Sequence, residues 1–175
     1  MTLAPDVLVV GGGVIGLAIA REAARAGMSV TLLERGEPGG EASGASAGML
    51  AAQLEAHEPG PILALSLRSR ALYPEWAAAL RDETGVDIDL RRDGALVVAK
   101  DAAAARQLDA TFRFQRDAGL PVERLDAAAA RRAEPGLAPA IEGGLFLPEE
   151  ASLDPALLTR ALAAAAEHAG ARLVT

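Results

Sequence analysis

The chain has 175 residues, 51% of them apolar and 23% charged, which describes a globular chain of one domain, or one and a fraction, at roughly 100–200 residues per domain. It contains no cysteine, which excludes disulfides, thiolate metal sites, iron–sulfur clusters and a cysteine nucleophile. Its net charge of −7 argues against a nucleic-acid binder and against a polybasic membrane anchor.

Aromatic residues are only 3%, so the core must rely on Leu, Ile and Val and on close contacts between Ala-rich helices and sheet. The longest apolar run, residues 7–20, contains four glycines. It falls short of the roughly 20 residues that a spanning helix needs. Asp6 precedes it and no basic region does, so it does not read as a signal peptide, and the cytoplasm is the expected location.

Val7–Val10 is continuously apolar between Asp6 and Gly11, the pattern of a parallel strand covered on both faces. Gly11–Gly13 predict a turn. Residues 14–26 repeat at helical spacing, and Gly27 is a natural stop. Residues 29–33 predict a second strand, which completes a βαβ unit. Residues 36–48, rich in Gly, Ser and Ala, form no packed element of their own.

Residues 63–80 predict a helix that Pro74 kinks or breaks, with Tyr73 and Trp76 as packing residues. Val86, Ile88 and Leu90 alternate with Asp87 and Asp89, which predicts a half-exposed strand. Arg92–Gly94 then read as a hairpin turn into a strand at 95–99. Asp101, Asp126 and Asp154 are placed to cap helices running to about 118, to just before Pro135, and to about 169. Strands are expected at 144–147 and 172–175. A strand after a long helix normally continues into more sheet. Thr175 is therefore expected to lie at a cut, with apolar faces that leave a homo-oligomer open.

The chemistry lies at the first turn. Gly11-Gly-Gly13-Val14-Ile15-Gly16 fits G-x-G-x-x-G in the required setting, after a strand and at the start of a helix. Gly11 suits the tight turn, Gly13 lets a pyrophosphate approach the backbone, and Gly16 lets the helix pack on the strands. The helix N-terminus offers free N–H groups to phosphate. Glu34, 21 residues after Gly13, closes the second strand. Its carboxylate can accept from ribose hydroxyls and would repel a 2′-phosphate. This predicts a dinucleotide site, and the pattern alone serves FAD and NAD alike.

Residues 6–20 and 31–35 resemble the FAD-dependent amine oxidases, the group that holds D-amino-acid oxidase, sarcosine oxidase and glycine oxidase. Gly39-Gly-Glu-Ala-Ser-Gly-Ala-Ser-Ala-Gly-Met-Leu50 resembles the flavin-embracing segment of the glycine oxidases of thiamine biosynthesis. Gln53, Glu55, residues 86–88 and residues 144–154 are similar too. The resemblance covers nearly all of this chain but only about the first half of such an enzyme.

It implies an α/β Rossmann-type FAD-binding domain at 1–84 and 152–175, with 85–151 as part of an inserted, mostly β substrate domain. It implies FAD as cofactor, with Ser43, Ala47, Gly48 and Met49 as further contacts and Arg35 near the adenosine end. It implies oxidative deamination of glycine or another small amine or amino acid, with hydride transfer to flavin and reoxidation by oxygen. A D-amino-acid dehydrogenase or sarcosine oxidase-like enzyme is the alternative within the group, and a nucleotide-binding fragment without turnover is the alternative outside it. The arginine and the aromatic hydroxyl that bind substrate in this family belong to its C-terminal half, so no catalytic residue is assigned.

No other constellation competes. His57 reads as a solvated loop residue and His168 as a surface residue at a helix C-terminus. Ser43 and Ser46 lack a nucleophile elbow. Asp87 and Asp89 do not converge as an acid–base pair, and the Arg91-Arg92 and Arg131-Arg132 pairs read as solvated.

Overall fold

A computed structural model describes residues 4–56 and 58–175, so His57 lies outside the described residues. The elements in order are β1 (Val7–Val10), α1 (Val14–Arg25), β2 (Val30–Leu33), β3 (Met49–Leu50), α2 (Pro61–Thr84), β4 (Ala95–Ala99), α3 (Ala102–Asp117), β5 (Glu123–Leu125), α4 (Ala127–Ala133), β6 (Gly143–Leu147), β7 (Ala151–Ser152), α5 (Pro155–His168) and β8 (Arg172–Val174). The chain divides into two units. Unit 1 holds the residues up to Met49, Leu72–Leu90 and Ser152–Thr175; unit 2 holds Leu50–Ala71 and Arg91–Ala151.

Unit 1 is an α/β Rossmann-type layer built on a parallel sheet ordered β1-β2-β8. Val7 pairs with Val30 and Val10 with Leu33, while Thr31 pairs with Arg172 and Leu33 with Val174. The central strand buries Val30 and Leu32. Helix α1 packs against α5, and the residues the two helices bury include Ala20 and Ala24 on one and Ala161, Ala165 and Ala166 on the other, beside Leu17, Leu158 and Leu162. With so few aromatics available, close approach between Ala faces supplies the dispersion contacts that larger side chains would otherwise give.

One charge is buried in this layer. Arg21 is 2% exposed, and Glu83 satisfies it in a two-pronged pair, Nε to Oε2 at 3.0 Å and Nη2 to Oε1 at 2.6 Å. Arg25 and Glu22 extend the cluster. The Arg21 hydrogen bonds hold the Glu83 carboxyl below its ordinary range.

Unit 2 is built on an antiparallel sheet ordered β4-β6-β5, against which α3 and α4 pack. Gly144 faces Val98 in the ladder, and a Cβ there would lie 2.7 Å from the Val97 carbonyl oxygen, so the sheet closes only around glycine at that position. Unit 2 also holds a buried polar network. Arg70 donates to Gln53 and Glu150 through Nη1 and to Glu149 through Nη2. The backbone N–H of Gln53 donates to Glu150 Oε1 at 2.6 Å, and its side chain donates to Gln115 and to the Pro121 carbonyl.

The helices capped by Asp101, Asp126 and Asp154 stand where the sequence places them, each aspartate accepting backbone N–H groups of the first turn. Two expectations give way. No strand spans 86–90: Asp87 Oδ1 accepts the Asp89 N–H at 3.0 Å, and Asp89 takes a φ of +51°, so a local side-chain turn curls the backbone out of extension. The hairpin expected at 92–94 has no first strand, and β4 pairs instead with β6. Pro74 does not end its helix, which runs on to Thr84. Tyr73 and Trp76 meet edge to face across that proline, centroids 5.5 Å apart.

Candidate functional site: a glycine turn and the loop that closes on it

The site lies wholly in unit 1, where β1 stops and α1 starts. Gly11 leaves the strand with a φ of +104°, which few side-chain-bearing residues adopt, and its N–H donates to the Leu33 carbonyl at 2.8 Å. A Cβ on Gly11 would meet nothing within 4 Å, so the space beside its backbone is open to a ligand. A Cβ on Gly16 would lie 2.0 Å from the Gly11 carbonyl oxygen and 3.3 Å from Val9 Cγ1. Glycine at this position is what brings the helix against the turn.

Gly13 is the N-cap of α1 and brings no side chain to it. A helix start leaves N–H groups without partners in the helix. Ser43, from the loop after β2, supplies one acceptor: its Oγ takes the Val14 N–H at 3.0 Å. The same loop is held by the Gly39 N–H, which donates to the Gly12 carbonyl at 2.8 Å.

Glu34 joins the two sides. Its Oε2 accepts the Gly12 N–H at 2.6 Å and its Oε1 accepts the Gly36 N–H at 2.9 Å. The Gly12 hydrogen bond, then that of Gly36, keeps this carboxyl below its ordinary range, and the Arg35 charge acts in the same direction. The carboxylate is therefore ionised and fixed, with lone pairs left to accept from a hydroxyl. Arg35 is 81% exposed and pairs with Glu41, also exposed. That pair raises the guanidinium above its ordinary value.

These groups enclose a cleft of about 400 Å3 lined by Val10, Gly11, Gly13, Glu34, Arg35 and Ser43, among others. Val14 and Gly16 do not line it, although the Val14 N–H donates to Ser43, which does. Ile15 points outward at 74% exposure. Ala47, Gly48 and Met49 do not line this cleft. Gly48 is instead anchored, its carbonyl accepting the Leu153 N–H at 3.0 Å, and a Cβ on it would lie 2.0 Å from the Leu153 carbonyl oxygen. Met49 is 56% exposed.

Sequence reasoning missed the bond from Gly39 to Gly12, and it missed Thr159 of α5, which sits over Gly39. The doubled glycine at 39–40 was the only sign of the first, and nothing in the sequence marks the second. Among the described residues no group of three or more His, Asp or Glu could hold a metal ion, and no helix is long and apolar enough to cross a membrane.

Comparisons with known proteins show the family. Residues 6–175 match the DAO family, described as FAD dependent oxidoreductase. The chain is 42% identical over 174 residues to a glycine oxidase of Geobacillus kaustophilus, covering 99% of this chain and 46% of that protein. The crystal structure of glycine oxidase from Geobacillus kaustophilus superposes with a TM-score of 0.95 over 97% of this chain and 46% of that one. A bifunctional protein ThiO/ThiG of Trichormus variabilis is 38% identical over 96% of this chain and 25% of its own length. The dithionite-reduced L-alpha-glycerophosphate oxidase of Mycoplasma pneumoniae, with FAD bound, is 26% identical with a TM-score of 0.84, over 98% of this chain and 44% of that one. The chain thus spans less than half the length of these relatives. With the family match running over residues 6–175 and the fold in agreement, the chain belongs to the DAO family of FAD dependent oxidoreductases.

Proposed function

We propose that this chain forms the nucleotide cradle of a glycine oxidase-type flavoprotein, with unit 1 holding FAD. One observation carries the reading: Gly11, Gly13, Glu34 and Ser43 line a single cleft at the start of α1. The pyrophosphate lies over Gly11, Gly13 and the first turn of Val14 and Ile15, where backbone can be approached and the helix dipole favours an anion. Gly16 keeps that turn tight against the strand. Glu34 accepts from the ribose, and Arg35 lies at the adenosine end. Ser43, Ala47, Gly48 and Met49 follow the cofactor toward its flavin ring. The fit is physical as well as by pattern, because the open space at Gly11 admits a ligand and Glu34 is already held in place by Gly12 and Gly36.

Bound FAD supplies a two-electron acceptor for the hydride of the amine α-carbon, with dioxygen taking the electrons onward to give hydrogen peroxide. The imine left behind takes up water and releases ammonia and a carbonyl acid. The substrate is glycine or another small amine or amino acid, as the name of the Geobacillus kaustophilus relative supports. The place in metabolism is thiamine biosynthesis, as the name of a thiamine biosynthesis oxidoreductase ThiO of Rhizobium etli, 39% identical over 95% of this chain, supports. Residues 85–151 form part of the substrate domain in this reading. Residues 1–84 and 152–175 form the FAD-binding part by these sequence-based bounds, although 50–71 belong to unit 2 and 85–90 to unit 1. No residue of this chain is assigned to the chemical step.

The test is to purify the protein, record its visible spectrum and count extracted flavin per chain. The reading expects a flavin spectrum or saturable uptake of added FAD, and peroxide formation from glycine. A protein that takes up NAD but not FAD contradicts it.

A further inference from the structure

The loop that closes the cleft converges on one residue. Gly39 donates its N–H to the Gly12 carbonyl at 2.8 Å, and its own carbonyl accepts the Gly44 N–H at 2.8 Å. The neighbour of Gly44, Ser43, then caps Val14. Gly39 is buried, with a φ of +76°. Its open side is filled by Thr159 of α5: a Cβ on Gly39 would lie 2.4 Å from Thr159 Oγ1, 2.7 Å from its Cβ and 3.1 Å from its Cγ2.

Thr159 is 3% exposed, and its hydroxyl is directed back into its own helix, onto the carbonyls of Pro155 and Ala156 at 3.0 and 3.1 Å. Its hydroxyl therefore has its acceptors within α5, and what the loop meets is its bulk. Large changes of shape at such a contact force neighbours to shift, whereas a valine keeps the shape and gives up only a hydroxyl whose acceptors are carbonyls of its own helix.

We infer that Thr159 is a positioning residue of the nucleotide cradle: it seats Gly39, and through Gly39 it sets where Ser43 and Gly12 stand. Contacts run from α5 to the loop, from the loop to the glycine turn, and from there to the first turn of α1. The cradle is latched in this way by a helix that carries no nucleotide-binding motif. The inference rests on the proposed FAD reading of the cleft, and its test separates the two.

Three variants test it: Thr159→Leu, which enlarges the contact from the helix side, Gly39→Ala, which displaces the loop by both the contact and its φ of +76° and so serves as the positive control, and Thr159→Val, which keeps the shape and drops the hydroxyl. Two readouts are made on each, amide hydrogen exchange at Val14, Gly39 and Gly44 without added ligand, and the Kd for FAD. Thr159→Leu and Gly39→Ala are expected to speed exchange at these amides and to weaken FAD about tenfold, with exchange at the α5 amides away from residue 159 changed less. Thr159→Val is expected to match the unchanged protein in both.

FAD uptake with all three variants alike, or a requirement for the hydroxyl, overturns the latch. Faster exchange in the two disruptive variants, in a protein that takes up no FAD at all, overturns the cofactor reading. The latch then stands only as a feature of the fold, and its assignment to a nucleotide cradle falls with that reading.

Discussion

Ser43 caps a helix that begins 29 residues before it, its Oγ accepting the Val14 N–H at 3.0 Å. The residue at the N-cap itself is Gly13, which has no side chain to offer. A helix that must present its first turn to a phosphate keeps its own cap small, and a neighbouring loop provides the acceptor. Replacing Ser43 with Ala should cost about 1 kcal/mol of stability, the usual worth of a lost cap, as measured by denaturant unfolding. FAD affinity should fall in the same variant. No change in either quantity would mean that the cap is idle.

Gly16→Ala tests the tightness of the turn. The added Cβ has backbone oxygen 2.0 Å away, and backbone yields less readily than a flexible side-chain end. The expected loss is about 1–3 kcal/mol of stability, with α1 displaced and FAD binding impaired. Near-normal stability and affinity would show that α1 does not need its present approach to the strand.

Glu34→Gln replaces a carboxylate that accepts from Gly12 and Gly36 with an amide that has one acceptor oxygen. One tie is lost, and the amide NH2 faces an N–H. FAD affinity should fall about tenfold, and the Gly12 amide should exchange faster. Discrimination against a 2′-phosphorylated dinucleotide should relax too, because the repelling charge has gone. An unchanged preference would remove Glu34 from the ribose.

The site was legible where its chemistry is local. Strand β1, the glycine turn, α1, β2 and Glu34 follow one another within about 30 residues, as in other βαβ units. The aspartate caps at 101, 126 and 154 were legible for the same reason, since each side chain serves the N–H groups immediately after it. What failed was non-local or competitive. The alternation at 86–90 has the strand period, but the Asp87 side chain offers Asp89 a turn instead. Strand β5 is three residues long and exists because β6 lies beside it. The seat that Thr159 gives Gly39 joins residues far apart in sequence, and neither residue carries a pattern that announces the other.

Acid should weaken unit 1 through Glu83. Its carboxyl titrates below the ordinary value of 4.5 because Arg21 hydrogen-bonds the charged form. A depressed folded value means that the unfolded chain binds the proton first as pH falls. The contribution is then full above about pH 4.5 and is lost as pH drops through the lower folded value. Thermal midpoints measured from pH 7 to pH 3 should decline at the acid end, and Glu83→Gln should flatten that part of the decline. An identical slope in the variant would assign the acid sensitivity to other carboxylates.

Unit 2 is sensitive in a different way. Glu150 is 2% exposed and faces the Arg70 guanidinium at 2.9 Å. Arg70→Ala leaves that carboxylate buried without its counter-charge and should cost about 3–5 kcal/mol. A well-packed double replacement, Arg70→Met with Glu150→Gln, should recover part of this. A loss below about 1 kcal/mol for the single variant, typical of an exposed pair, would show that water reaches the network.

The most direct test of the central claim is a titration of FAD into the isotope-labelled protein, following the backbone amides by nuclear magnetic resonance. Saturable shifts are expected at Gly13, Val14, Gly36 and Ser43, and they should be lost in Gly13→Val, whose Cβ would lie 3.0 Å from Ser43 Oγ and whose side chain would crowd the turn. Shifts that fail to saturate, or that persist in Gly13→Val, would contradict a nucleotide cradle at the start of α1.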